Sequence, residues 1–300
     1  MNQIKAKDKF PVMLASPQKE LDRINFPCYA QTKMDGMRAM IIIKDDVVVV
    51  YSRNGKVMEG LGAHFKPMVF HNNTVYDGEL AVLNGDGKPL DRKAGNGILH
   101  KAVVGTISPE EIKRIRITLW DLIPVGDFEK GYNPTPYHAR LAEIKAIPKS
   151  ELFSIVETFE VNDMDEAQAI FKQMLDKGEE GIILKNNDHP WENKRSKQII
   201  KMKEVIETDL KIIGFAEGEG KASKMLGALQ CENKDGSIKV DVGTGFTDAQ
   251  RIDIWGKREE LLNTIVTVKN NGVITRKDKD VKSLFLPVFV ELRPDKEGAD

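Results

Sequence analysis

Cysteine is nearly absent: two residues in 300, Cys28 and Cys231. They lie far apart and without CxxC spacing. That excludes a disulfide scaffold and reads as free thiols in a reducing compartment. The five histidines are scattered and suggest no zinc site. No apolar run approaches a membrane span, and no signal-peptide pattern opens the chain. Charge of one sign is not in excess either. Lysine plus arginine number 45, aspartate plus glutamate 46, and the formal net charge is −1. This argues against a non-specific nucleic-acid coat protein but leaves room for a local basic groove. What remains is 41% apolar and 30% charged, enough for packed cores, at a length that suggests two domains.

One stretch organises the chain: Gln31-Thr32-Lys33-Met34-Asp35-Gly36-Met37-Arg38. The apolar runs on either side predict a strand entering and a strand leaving, with a tight turn at Asp35-Gly36. Taken alone, the octapeptide reads most economically as an Asp-Gly hairpin. The sharper alternative puts Lys33 at the edge of a packed site. Burial and nearby cations would then lower its pKa and free the amine as a nucleophile.

Val47 to Tyr51 is a β-prone run closing on Ser52-Arg53-Asn54-Gly55, a second turn. Val75 to Leu83 predicts a strand carrying Asp77 and Glu79; acids inside an apolar strand need a metal, a hydroxyl or an arginine as partner. Asn84 to Lys101 reads as a glycine-rich basic loop, either a mobile connection or a phosphate-backbone contact through Arg92 and Lys93. Helices are expected at 109–116, 137–147 and 164–177, and strands at 117–123 and 154–161. Lys185 to Lys203 is the most basic stretch, six basic residues against two acidic. Its end alternates so that Lys201 and Lys203 share a strand face, an arrangement an intervening anion would relieve. Beyond residue 205, five short β segments and one helix at 248–262 predict a small Greek-key barrel, the OB-fold. The tail after Lys296 is expected to be loose.

In order, Lys33-Met-Asp35-Gly36-Met-Arg38, Ser52-Arg53-Asn54-Gly55, Asp77-Gly78-Glu79, Leu119-Trp120-Asp121, Glu180-Gly181-Ile182-Ile183-Leu184-Lys185, Lys201-Met202-Lys203 and Arg293-Pro294-Asp295-Lys296 resemble the motif series of the covalent nucleotidyltransferases. That superfamily holds ATP-dependent DNA ligases, RNA ligases and mRNA capping enzymes. The compact layout is similar to the short DNA ligases of bacteriophages. The resemblance implies an α+β adenylation domain with antiparallel sheets over residues 1–206, and an all-β OB-fold domain over 207–300.

It also implies roles. Lys33 would attack the α-phosphorus of ATP and form a lysyl-AMP phosphoramidate. Glu180, with Glu79, would hold Mg²⁺ or another divalent cation, and Glu79 would also meet the ribose. Gln31, standing where many members carry glutamate, would accept from the adenine amino group, and Trp120 would stack on adenine. Lys185 would lie beside the nucleotide, and Lys201 and Lys203 would clamp the α-phosphate. Arg38 and Arg53 would hold the ribose or a 5′-phosphate. Arg293 and Lys296 would orient the leaving pyrophosphate and then swing away. Nicked duplex DNA, the implied partner, would meet Arg53, Arg92, Lys93, Lys194, Arg195 and Lys197. The stretch before Lys33 leaves no room for a module holding nicotinamide mononucleotide, which favours ATP over NAD. A monomer working in the cytoplasm (the bacterial host's, if a phage encodes it) completes the expectation.

Overall fold

A computed structural model describes residues 10–68, 71–148, 150–270, 272–275 and 282–300. The chain divides into two compact units, the first ending at Lys203 and the second spanning Glu204–Asp300. Among the described residues no helix is long and apolar enough to cross a membrane.

The strands of the first unit are β1 (Leu14–Ser16), β2 (Cys28–Thr32), β3 (Met37–Lys44), β4 (Val47–Ser52), β5 (Thr74–Val82), β6 (Ile115–Pro124), β7 (Tyr132–Asn133), β8 (Phe153–Ile155), β9 (Thr158–Val161), β10 (Gly181–Asn186), β11 (Trp191–Glu192) and β12 (Arg195–Lys203). Its helices are α1 (Leu61–Phe65), α2 (Arg92–Val103), α3 (Pro109–Lys113), α4 (Val125–Lys130), α5 (Tyr137–Lys145) and α6 (Met164–Asp176). Two five-stranded sheets form, ordered β1-β12-β10-β2-β9 and β4-β3-β5-β6-β8, and most pairings in both are antiparallel.

Strand alternation sorts the side chains into three cores. On β3, Ala39, Ile41 and Ile43 pack with Leu61, Phe65 and Leu99 of the helices outside the second sheet. Met40 points the other way, into a core shared by the two sheets with Val75, Ile123, Phe128, Trp191 and Ile199. Ala30, Ile182, Leu184, Ile200 and Met202 face α6 through Ala167 and Met174.

Three expectations are corrected here. The lysine stretch is not a hairpin, because β2 and β3 belong to different sheets and the segment between them crosses from one to the other. The stretch 154–161 is not one strand: β8 pairs with β6 and β9 with β2, so the chain again changes sheet. The basic loop is largely the helix α2, started by the Asp91 side chain accepting from Ala94 N–H. Gly95 and Gly97 made it look flexible; Leu99 and Ala102, packed in the core, hold it helical against the ~1 kcal/mol each glycine costs.

The second unit contains β13 (Ile206–Glu217), β14 (Leu226–Glu232), β15 (Lys239–Val242), α7 (Asp248–Gly256), α8 (Arg258–Leu261), β16 (Ile265–Asn270), β17 (Val273–Thr275), β18 (Lys282–Leu284) and β19 (Val288–Arg293). The five expected strands make one antiparallel sheet, β15-β14-β13-β16-β19. Among the described residues its edges β15 and β19 do not pair, so the sheet is open and not a closed barrel. The short antiparallel pair of β17 and β18 was not anticipated. The tail is not loose: Asp300 N–H donates to the Asp209 carbonyl at 2.9 Å, and Asp209 N–H donates to the Asp300 carboxylate at 2.7 Å.

Candidate active site

The apolar core between the two sheets fills only one end of the gap. Along β5, Val75 belongs to that core, and the next residues on its face are Asp77 and Glu79. Along β12, Ile199 is followed on its face by Lys201 and Lys203; along β10, Ile183 is followed by Lys185. On β5 and β12 the face thus turns from apolar to charged along the strand, while β10, antiparallel to β12, sets Lys185 beside Ile199 and Ile183 beside Lys201. Between the two sheets lies a cavity of about 540 Å³, within the usual size of small-molecule sites.

On β6 the alternation is broken on purpose. Asp77 pairs with Asp121 and Gly78 with Leu119, which makes Trp120 the extra residue of a bulge. The bulge turns Trp120 and Asp121 to the same side, and both line the cavity. Arg38 lies over the Trp120 ring, 5.5 Å from its centroid.

Lys33 is placed by its backbone. Its N–H donates to Gly181 O at 2.9 Å, where β2 meets β10, so Glu180 comes to its side. The Lys33 ammonium pairs with one Glu180 oxygen; Arg92 reaches the other at 2.9 Å and Asp35 at 3.1 Å. Burial lowers the Lys33 pKa and Arg92 and Lys203 lower it further, while Glu79 and Asp35 push back. Gly36 lets the crossing pass tightly over β5. A Cβ there would lie 2.2 Å from Leu80 O, and its N–H donates to Glu79 at 3.2 Å. Burial raises Glu79 to about 7, against the pull of Arg38 and Lys33. Burial also lowers Lys201, helped by Lys203, Arg195 and Arg53, and lowers Lys203, helped by Arg92.

A buried network backs the cavity. Gln31, 1% exposed, donates to the Tyr137 hydroxyl at 2.8 Å and to Thr158 Oγ1 at 2.9 Å. Lys185 donates to the same Tyr137 hydroxyl at 3.0 Å and lies over its ring; burial lowers its pKa to about 7. Arg140 closes the network with a two-pronged pair to Asp121, at 2.7 and 3.1 Å.

Of the residues singled out from the sequence, Gln31, Lys33, Arg38, Arg53, Glu79, Arg92, Trp120, Glu180 and Lys185 line one cavity. Lys201 and Lys203 continue the face of Ile199, which also lines it. Arg38 is already committed, to Asp77 at 2.5 and 2.9 Å and to Met13 O at 2.7 Å. Arg92, grouped with Lys93 for DNA, instead faces Glu180 and Asp35; Lys93 stays exposed beside it. Lys194 pairs with Glu192 at 2.6 Å, Arg195 donates to Ala15 O at 2.5 Å, and Lys197 is exposed. Arg293 and Lys296 lie in the second unit, where Arg293 holds Asp295 at 2.8 and 2.9 Å and Lys296 pairs with Asp209. Reading the sequence missed Tyr137, Arg140 and Thr158, because nothing in a helix start or a short strand marks them. Among the described residues no group of three or more His, Cys, Asp or Glu side chains is placed to hold a metal ion.

Comparison with known proteins adds the following. The family described as ATP dependent DNA ligase domain matches residues 12–203, and that described as DNA ligase OB-like domain matches residues 217–293. The DNA ligase of Enterobacteria phage T4 is 31% identical over 97% of this chain and 70% of its own length. A DNA ligase of Thermococcus fumicolans is 27% identical over 90% of this chain and 53% of its own. The solved structure Pmar-Lig_PreS3 superposes with a TM-score of 0.78 at 26% identity, covering 95% of this chain and 68% of that one.

Proposed function

Because the chain belongs to the ATP-dependent DNA ligases, we propose that it seals 5′-phosphate/3′-hydroxyl nicks in duplex DNA through a nucleotide held on Lys33. Adenylation resides in residues 1–206 and the OB-like part in 207–300. The observation that carries the assignment is the Lys33 amine, depressed by burial and cations and set against Glu180 inside the cavity.

Three transfers follow. The neutral Lys33 amine attacks the α-phosphorus of ATP, the bond to pyrophosphate breaks, and a P–N bond replaces it. A 5′-phosphate oxygen of DNA then attacks that phosphorus, the P–N bond breaks and lysine is released. Finally the adjacent 3′-hydroxyl attacks the DNA phosphorus and AMP leaves. The protein's share is positioning and charge neutralisation. Lys201 and Lys203 face the α-phosphate, and Trp120 offers adenine the ring face that Arg38 does not cover. Lys185 sits beside the nucleotide, and the amide oxygen of Gln31 takes the adenine amino group. Arg38, committed to Asp77, braces the ribose side, and Arg53 meets a phosphate at the cavity mouth. Arg293 and Lys296 serve the pyrophosphate, which requires them to release Asp295 and Asp209.

A divalent cation such as Mg²⁺ fits the donor set, since this ion binds through one or two carboxylates plus substrate phosphates and needs no all-protein cage. Glu180 would hold it, with Glu79 behind; bound there, it would neutralise phosphate charge. The DNA contacts are Arg53, Arg92, Lys93, Lys194, Arg195 and Lys197. The protein acts as a monomer, in the bacterial host cytoplasm if a phage encodes it, a reading the phage relatives support.

The test is incubation with Mg²⁺ and α-labelled ATP, GTP or NAD, followed by denaturing electrophoresis. Wild type retains label from ATP alone and Lys33→Ala retains none. Label persisting on Lys33→Ala overturns the assignment.

A further inference from the structure

Gln31 presents an ambiguity that its surroundings resolve. An amide can offer a base either its oxygen or its N–H, and the two orientations differ only by a flip. Both neighbours of the Gln31 nitrogen are hydroxyls, and each has one proton. The Tyr137 proton goes to Trp120 O at 2.7 Å, and the Thr158 proton to Val156 O at 3.0 Å. With their protons spent on backbone carbonyls, both hydroxyls can only accept from Gln31. The Tyr137 oxygen also stands 3.1 Å from Gln31 Oε1, farther than the carbonyl that holds its proton. Lys185 also donates to the same oxygen at 3.0 Å, which fits its role as acceptor. Tyr137 itself cannot turn: its ring stacks on His189 at 4.8 Å and meets Tyr29 edge-on at 6.1 Å. Thr158 is fixed opposite Gln31 by the β2–β9 register.

From this geometry we infer that Tyr137 and Thr158 are positioning residues for base selection, locking the Gln31 amide so that its oxygen faces the nucleotide. The oxygen accepts from a six-amino purine and opposes the oxygen of a six-oxo purine. This rests on the proposed contact between Gln31 and adenine, and deepens it: the selectivity belongs to the two hydroxyls as much as to the glutamine. An unlocked amide would flip and serve either base.

The test compares kcat/KM for forming the covalent enzyme–nucleotide with ATP and with inosine triphosphate, which differ at the six position. Tyr137→Phe and Thr158→Val should each lower the ATP preference about fivefold, the worth of one hydrogen bond of about 1 kcal/mol. Thr158→Ser should restore it. Thr158 bonds to Gln31 and Val156, and Lys185 to Tyr137, so the Val variant decides the matter even if Tyr137→Phe folds poorly. If Gln31→Leu loses the preference while both hydroxyl variants keep it, the locking is wrong and the adenine contact stands. If Gln31→Leu keeps the preference, the adenine contact fails and the locking with it.

Discussion

Replacing Arg140 by methionine should destabilise the first unit by about 3–5 kcal/mol at pH 7, the usual cost of removing one partner from a buried ion pair. The Arg140 and Asp121 side chains are 1% and 2% exposed. Arg140 also donates to Thr135 O and, at 3.2 Å, to His189 O. Methionine fills much of the volume, so the loss is electrostatic. Asp121 would keep one partner, Leu122 N–H at 2.9 Å. The cost is a large part of the ~5–15 kcal/mol that holds a domain folded.

The pH dependence separates this from a packing defect. In wild type, Asp121 is buried, which alone would raise its pKa, but Arg140, Lys185 and His189 hold it below the ordinary range. Its contribution is therefore complete above the unfolded pKa and lost only as pH falls through the depressed folded value. In Arg140→Met, burial dominates and the folded pKa rises above the unfolded one. The penalty is then greatest at neutral pH and shrinks as acid protonates Asp121. Urea unfolding in a Trp255→Phe background, followed by Trp120 and Trp191 fluorescence, gives both numbers. Adding Asp121→Asn should recover most of the loss at pH 7. A cost below about 1 kcal/mol at pH 7, or an equal cost at pH 5, would refute the reasoning.

Glu79→Gln should stabilise the protein at pH 8 and not at pH 5. The raised carboxyl, at about 7, favours folding only while protonated, and that contribution fades as pH climbs from the unfolded value through 7. Thermal unfolding at the two pH values checks it. Gly36→Ala should cost about 1–3 kcal/mol and slow Lys33 labelling, since the new methyl must displace Leu80 O. Wild-type unfolding curves and labelling rates are the comparison. Nick binding should fall steeply with salt: six phosphate contacts give a slope of about −5.4, or roughly two-thousandfold between 50 and 200 mM. Affinity that barely moves in a salt titration would remove Arg53, Arg92, Lys93, Lys194, Arg195 and Lys197 as contacts.

Much of the site was legible because strand alternation writes it into the chain. Asp77 and Glu79 two apart, and Lys201 and Lys203 two apart, announce faces that are apolar at one end and charged at the other. The sheet changes were not legible. Asp35-Gly36 looks the same in a hairpin as in a crossing, and the choice is made by Lys33 N–H pairing with Gly181 O, 148 positions later in the chain. The bulge at Trp120 is equally silent, since it depends on a register shift against Gly78. Local chemistry reveals which residues are costly to bury; only pairing between distant strands reveals where they meet.

That pairing also explains how a chain of net charge −1 can offer a cavity to a polyanion. The cations around the cavity largely hold acids already: Arg38 has Asp77, Lys33 has Glu180, and Arg92 shares Asp35 and Glu180. Arg92, the exposed one, gains little from its pairs, because water screens them. Arg38 and Asp77 differ, being shielded and two-pronged, and so should persist when nucleotide enters. We propose that substrate binding is then an exchange. Phosphate oxygens would take over Arg92, and the carboxylate of Glu180 would become available to a divalent cation as Lys33 gives up its proton and is freed to attack. On that argument Glu180→Gln should weaken the metal dependence of Lys33 labelling and raise the KM for ATP modestly. A purely structural Glu180 would instead lower every rate in proportion, with the metal titration unmoved.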